Sequence, residues 1–332
     1  MDLRPLLAQL SDGLFHSGER LGMDLGLSRA AVWKQVEKLK AMGVEVHSVT
    51  GKGYRLPSAL ELLCLEEIMR SLGSDSAQWQ QNLCVLFSVD STNTEVVRRM
   101  LCGADRYVVV ADHQSLGRGR RGRAWISPLG ANIYMSIGWS FQSGIAALEG
   151  LSLVVGVLVT RALSRCGFHG ATLKWPNDVL LGGRKLAGIL LEVSGDVGGP
   201  CRVVIGIGMN VRMPVAAAQE IDQPYTDLAA NFGPRIDRNM IAAAMIRELT
   251  QGLEEFERSG FSTFHSQWEE LDTYKGEMVE LRAATSVTRG VVRGVDHSGG
   301  LILDTEEGVK IMAGGELHTT LRPVTAQAHH DS

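Results

Sequence analysis

The sequence predicts an α+β chain of three parts: a small helical module with a β hairpin, a mixed-sheet centre, and a small C-terminal β-barrel. Three observations predict this. Closely spaced helix signals followed by a Gly-Lys-Gly turn occupy residues 1–60. Strand-like and helix-like patterns alternate over 67–270, as an α+β domain requires. Short strands separated by turn residues fill 271–323.

In the first part, Ser17 is placed to cap a helix carrying Arg20, Leu21 and Leu25, and Gly26 to end it in a left-handed conformation. Ser28 caps the next helix, where Val32, Val36 and Leu39 form an apolar stripe and Gly43 stops it. Arg29, Lys34 and Lys38 lie opposite that stripe. Val44, Val46 and Val49 lead into the turn Gly51-Lys52-Gly53, with Tyr54 and Arg55 beyond. Helix, turn, basic helix and hairpin in this order predict a winged helix-turn-helix. Ser28, Arg29, Lys34, Lys38, Lys52 and Arg55 are its candidate DNA contacts. The competing reading is a helical subdomain whose charges are merely solvated.

Pro57 to about Glu66 reads as a connector. Strands are expected at Val85–Val89, Tyr107–Ala111, Ile133–Trp139, Leu173–Trp175, Gly188–Val193 and Val203–Val211, and helices at Leu148–Leu163 and Met240–Phe256. Further strands are expected at Met278–Leu281, Gly290–Val295, Leu301–Asp304 and Val309–Ala313, with a disordered tail after Pro323.

Composition excludes several classes. The 332 residues are 45% hydrophobic and 21% charged, which is ordinary globular composition. The net charge of −4 is uneven, because residues 1–57 hold eight basic and six acidic side chains. A slightly basic N-terminal module tolerates phosphates. Five cysteines without a CxxC pair argue against a disulfide framework or a zinc site and for a cytoplasmic protein. No signal-peptide pattern opens the chain. The most apolar stretch, Leu151–Val159, is shorter than the ~20 residues that cross a bilayer and is expected to be a buried helix, so no membrane partner is implied.

Four clusters in the central part carry polar chemistry. Asp90-Ser91-Thr92-Asn93 follows a predicted strand and offers hydroxyls and an amide, although it is also a good helix cap. Gln114 precedes Gly117-Arg118-Gly119-Arg120-Arg121-Gly122-Arg123, where glycines expose amides and arginines supply planar donors for phosphate or carboxylate. Lys174-Trp175-Pro176-Asn177-Asp178 forms a polar corner, and Lys185-Leu186-Ala187-Gly188 leads into an apolar strand. A plain turn and a surface lysine are the rival readings of these last two. There is no GxxxxGK[ST] loop, and Gly206-Ile207-Gly208 lacks the third glycine of a dinucleotide fingerprint.

In this order and spacing the clusters resemble those of the biotin–protein ligases, and the added winged helix resembles their bifunctional branch, which also represses the biotin operon. The resemblance reaches from the winged helix to about Arg322. It implies a class II synthetase-like central ligase domain and an SH3-like barrel. It implies biotin at Ser91, Thr92, Asn93, Gln114, Arg118, Gly119, Arg120 and Lys185, and the adenylate at Arg120, Arg121, Lys174, Asn177, Asn210 and Tyr225. Lys185, Asp178, Arg120 and Arg121 are the implied catalytic residues. ATP, biotin and Mg²⁺ are the implied small molecules, with no tightly bound cofactor and no protein metal site. The implied partners are a biotin carboxyl carrier protein, operator DNA, and a second copy of the chain when biotinyl-AMP is bound. Two positions depart from the family: Tyr225 stands where a tryptophan stacks on adenine, and Trp33 stands where the best-known member has a polar residue.

Rival functions are a lipoate or octanoate ligase, a transcription factor that only senses biotin, and a ligase whose winged helix does not repress. The arginine loop and winged helix argue against the first, and the presence of every reactive motif argues against the second.

Overall fold

The computed structural model describes residues 2–57, 60–195, 199–282, 287–313 and 320–323. The tail expected to be disordered after Pro323 lies outside them.

Three helices open the chain: α1 (Arg4–Leu10), α2 (Gly18–Leu25) and α3 (Arg29–Ala41), followed by the hairpin β1 (His47–Val49) and β2 (Gly53–Arg55). Their boundaries have local causes. The Ser17 hydroxyl accepts from the Arg20 amide at the start of α2, and the Ser28 hydroxyl accepts from that of Ala31 at the start of α3. Gly26 ends α2 at φ 65°, where a side chain would be strained. Val32, Val36 and Leu39 of α3 are fully buried against Leu6, Leu10 and Leu21. His16 bridges Tyr54, adding a third short partner to the wing. The result is a winged helix-turn-helix.

The centre holds, in chain order, α4 (Leu65–Leu72), β3 (Leu83–Leu86), α5 (Thr92–Leu101), β4 (Arg106–Ala111), β5 (Ile133–Phe141), α6 (Leu151–Arg165), β6 (Ala171–Lys174), β7 (Asp178–Leu181), β8 (Arg184–Gly195) and β9 (Cys201–Met209). Two short helices, α7 (Val215–Ala218) and α8 (Leu228–Phe232), precede α9 (Arg238–Ser259) and α10 (His265–Leu271). The seven strands form one sheet in the order β3-β4-β5-β9-β8-β7-β6, antiparallel except for β3 and β4. Helix α5 covers one face through Val96 and Met100, which pack with Tyr107, Val109 and Val204. Helices α4, α6 and α9 cover the other.

Helix α6 extends the apolar stretch beyond what the sequence suggested. Within residues 145–165, which take in α6 and the turn before it, an 18-residue stretch reaches a mean hydropathy of 1.8, long and apolar enough by that measure to cross a membrane. Every residue from Leu153 to Thr160 is nevertheless buried in the protein core, as a helix apolar on all sides must be. Gly252 of α9 lets α6 approach closely, since a β-carbon there would lie 2.2 Å from Leu158.

Some boundaries differ from expectation. The strand expected at Val85–Val89 is regular only over Leu83–Leu86, and Val89 continues as an isolated bridge to Gln114. The connector after Pro57 already contains the start of α4. Strand β7 was not foreseen, because four residues after a polar corner carry too short a pattern.

The C-terminal part is a five-stranded antiparallel sheet: β10 (Met278–Arg282), β11 (Val287–Val295), β12 (Leu301–Thr305), β13 (Gly308–Met312) and β14 (Thr320–Pro323), in the order β13-β12-β11-β10-β14. A register shift between Val292 and Gly294 bends β11. Val279, Leu281, Val292, Leu301, Leu303 and Leu321 join the same core as the central sheet. The Trp175 indole donates to the carbonyl of Gly299 at 3.0 Å, tying the two parts together.

Candidate active site

The four clusters meet around one cavity of about 320 Å³. All of Ser91, Thr92, Asn93, Gln114, Arg118 and Gly119 line it; so do Arg120, Arg121, Lys174, Asn177, Asp178, Lys185, Asn210 and Tyr225.

One wall is the start of α5. Ser91, Thr92 and Asn93 are buried there. Gln114 Oε1 accepts from both the amide and the hydroxyl of Thr92, at 2.9 and 3.0 Å, while Gln114 Nε2 donates to Ser127 Oγ. The Ser136 hydroxyl sits 2.7 Å from Thr92 Oγ1 and 2.6 Å from Asn93 Oδ1. Asn93 Nδ2 donates to Glu192 at 2.8 Å. Such a network fixes its members, because each buried polar atom has a partner. Asn93 therefore spends its polar atoms on the protein and serves the cavity mainly as a rigid wall.

The floor is backbone. Gly206 and Gly208 alternate on β9 and present no side chain to the cavity. A β-carbon on Gly206 would lie 2.2 Å from Asn93 Oδ1, and one on Gly208 would lie 2.3 Å from the Trp125 ring. Sequence reasoning treated this pair only as an incomplete dinucleotide fingerprint, and it gave no site role to Trp125, Ser127, Ser136 or Glu192. The alternation of glycines on a predicted strand was the signal available for the floor; no pattern pointed to the others.

The arginine segment closes on itself. The Gly119 amide donates to the Arg123 carbonyl at 2.8 Å, and the Trp125 amide to that of Gly117 at 2.9 Å. Arg121 is held at φ 64°, a left-handed conformation that costs a side-chain-bearing residue about 1–2 kcal/mol. Arg118 donates to Thr94 and Glu192, and Arg120 to Asn177 Oδ1 at 3.2 Å. Burial pushes the Arg120 guanidinium below its usual range, Arg121 adds to that by repulsion, and Asp178 opposes it.

The polar corner sets the reactive groups. Lys174 and Asp178 face each other where β6 turns into β7. A bulge between Val179 and Leu180 shifts the pairing with β8 by one residue next to Lys185. The Lys185 ammonium lies 2.7 Å from Asp178 Oδ1, both side chains about 15% exposed, and 5.5 Å from the centre of the Trp125 ring. Burial pushes the Lys174 ammonium down; Asp178 resists this, while Lys185 and Arg322 reinforce it. Arg118, Arg120, Arg121, Arg123, Lys174 and Lys185 line the cavity against Asp178, Glu220 and Asp222. This cationic excess suits an anionic ligand with several charged oxygens.

In the N-terminal module, Arg29, Lys34 and Lys38 are exposed on α3, and Lys52 is exposed at the wing turn. Ser28 is exposed but its hydroxyl is engaged as the cap of α3. Arg55 departs from expectation. It is half-buried, with its guanidinium 4.8 Å from the Phe15 ring centre and 3.2 Å from His47 Nδ1. It braces the wing from within through these two contacts, whereas Lys52 stands out at the turn.

Fold and cavity together define a class: a winged helix-turn-helix joined to a mixed-sheet domain built to hold and activate an anion. Comparison with known proteins narrows it. Residues 85–210 match the Biotin/lipoate A/B protein ligase family, residues 3–55 an HTH domain, and residues 275–316 the Biotin protein ligase C terminal domain. The chain is 41% identical to the bifunctional ligase/repressor BirA of Escherichia coli (strain K12), over 94% of this chain and 95% of that one. It is 32% identical to its Bacillus subtilis (strain 168) namesake, over 93% and 95% of the two chains. The structure of biotin protein ligase from Aquifex aeolicus in complex with biotin and ATP superposes with a TM-score of 0.62 at 32% identity, covering 74% of this chain and all of that one. The chain belongs to the biotin protein ligase family.

Proposed function

We propose that this protein activates biotin with ATP, transfers it to a lysine of a biotin carboxyl carrier protein, and represses biotin synthesis when the adenylate is bound. The observation that carries the catalytic half is the Lys185–Asp178 pair, 2.7 Å apart at the wall of a cation-lined cavity.

The first step joins the biotin carboxylate to the α-phosphorus of ATP, and the bond to pyrophosphate breaks. Negative charge accumulates on phosphoryl oxygens, where Lys185, Arg120 and Arg121 would offset it. Ser91, Thr92, Asn93, Gln114, Arg118 and Gly119 would border the biotin, whose apolar chain would lie against the glycine floor and the Trp125 ring. Lys174, Asn177, Asn210 and Tyr225 would border the nucleotide, Tyr225 offering an aromatic face to adenine. Mg²⁺ would enter on ATP, and Glu220 and Asp222 are carboxylates of the cavity lining that could assist in holding it. An ion carried in on ATP would keep water and phosphate oxygens as its main ligands.

The second step is attack of the acceptor amine on the carbonyl carbon of the mixed anhydride; AMP leaves with the bonding pair and an amide forms. When Lys185 turns to the adenylate, Asp178 loses its partner and becomes free to receive the incoming ammonium and its proton. The arginine segment would keep water from the anhydride.

The winged helix, with Arg29, Lys34, Lys38 and Lys52 outward, supports DNA binding. A two-fold homodimer would present two such helices to two half-sites. The chemistry and the free cysteines suit the cytoplasm. The ligase units 67–270 and 271–323 and the DNA-binding unit 1–60 remain our division of the chain.

Biotin-dependent ATP–pyrophosphate exchange tests the catalytic half. Exchange with biotin, absent with lipoate and lost in Lys185→Ala, is the expected result. Exchange with lipoate alone, or with neither acid, would overturn the reading.

A further inference from the structure

Helix α3 turns Val32, Val36 and Leu39 into the core and exposes Ala30, Trp33, Lys34 and Lys38 on the opposite side. Trp33 is 53% exposed. It lies in the second turn after the Ser28 cap, in the part of a recognition helix that meets base edges. Three features around it suit a duplex. Arg29 precedes it by one turn, and Lys34 and Lys38 follow, all exposed, so cations flank the ring at both ends of the helix. Lys52 adds a further exposed cation at the wing turn. The one acidic side chain of the helix, Glu37, is tied to Lys40 at 2.9 Å, which offsets its repulsion of phosphate.

The hydrogen-bonding alternative is restricted. Gln35, the side chain of this helix suited to bidentate reading of adenine, is only 5% exposed. The outward face is left with Arg29, Lys34 and Lys38, cations that can read guanine or hold phosphate, and with the apolar surfaces of Trp33 and Ala30. In the major groove the apolar feature of a base pair is the C5-methyl of thymine.

We propose that Trp33 is a specificity-determining residue of the DNA-binding module, packing its indole against a thymine methyl in the major groove. This rests on the DNA-binding reading above.

The test uses the full chain with biotin and ATP. Wild type and Trp33→Ala each select from a pool of random-sequence duplexes, and the selected site is then remade with deoxyuridine at single thymine positions. Wild type should select a fixed thymine and lose roughly 3- to 10-fold in affinity when its methyl is removed. Trp33→Ala should lose as much on the thymine site and be indifferent to deoxyuridine, while Trp33→Phe keeps part of the preference. The salt dependence should be the same for all three, since no phosphate contact is removed. Pyrophosphate exchange at the wild-type rate shows that each variant is folded. Equal deoxyuridine sensitivity in wild type and Trp33→Ala overturns the inference and assigns the exposed indole to a protein contact instead. A wild type that enriches no sequence overturns the DNA-binding reading itself.

Discussion

The amide of Leu129 donates a 2.8 Å hydrogen bond to the carbonyl of Met42, the residue that ends helix α3. Leu129 is 1% exposed and belongs to the core of the N-terminal module. Two residues earlier, Ser127 accepts from Gln114, and Trp125 lies against the glycine floor. One backbone segment thus forms part of the cavity wall and also holds the end of the recognition helix. The close approach of Pro128 to Gly43, where a β-carbon would lie 2.7 Å away, completes the joint.

Leu129→Ala should destabilise the fold by about 2–4 kcal/mol, the cost of a cavity at a fully buried leucine. Because the joint lies between the two functional parts, DNA affinity should fall while pyrophosphate exchange at saturating biotin stays near wild type. Urea unfolding and a DNA titration on the same preparation check this. Equal losses in both activities would argue against a joint of this kind.

Asp178→Asn removes the carboxylate that Lys185 holds while preserving its size. If Asp178 serves the second step, transfer from preformed adenylate to the acceptor should slow by roughly 10²–10⁴-fold, with a much smaller change in adenylate formation. Single-turnover transfer, compared with pyrophosphate exchange, separates the two. A variant impaired equally in both would place Asp178 in the first step as well.

Gly208→Ala puts a methyl group within 2.3 Å of the present position of the Trp125 ring. Overpacking of about 1–3 kcal/mol at this floor corresponds to a roughly 5- to 150-fold rise in KM for biotin, with little change in KM for ATP. Steady-state exchange kinetics measure both, and an unchanged KM for biotin would remove the floor from the binding site.

Asp272 gives a pH signature. Burial raises its pKa to about 6, Glu269 adds to this, and the Tyr274 amide and Lys275 oppose it. Its Oδ2 is buried without a hydrogen-bond partner. The folded chain therefore holds a proton that the unfolded chain releases near pH 4, so stability declines as pH rises from about 4 to about 6 and this contribution levels off above. Asp272→Asn keeps an acceptor for the Tyr274 amide and removes the charge. Thermal unfolding should show it more stable than wild type at pH 7.5, by on the order of 2–3 kcal/mol, and equal near pH 4. The opposite ordering at pH 7.5 would mean that the carboxylate is stabilised in the fold.

Much of this protein is written in local sequence. The caps at Ser17 and Ser28, the stop at Gly26 and the stripe Val32-Val36-Leu39 need only neighbours within a turn or two, so the N-terminal module is legible residue by residue. Strands such as Ile133–Phe141 show their alternation or apolar run directly. The four polar clusters also stand out, because glycine-arginine alternation and Lys-Trp-Pro-Asn-Asp have no secondary-structure logic of their own. That they surround one cavity could not be read, because Ser91 and Lys185 are 94 positions apart in the chain, and only the order β3-β4-β5-β9-β8-β7-β6, with α5 packed across it, brings the segments that carry them together. The pairing of Lys185 with Asp178 depends on a bulge, the inward turn of Arg55 on its contacts with Phe15 and His47, and the partners Ser136 and Glu192 on packing of α5 across the sheet. Local propensity acts through bonds a few residues long and is fixed by sequence alone. Side-chain direction and electrostatic partnership arise from segments far apart in the chain, so tertiary structure decided them.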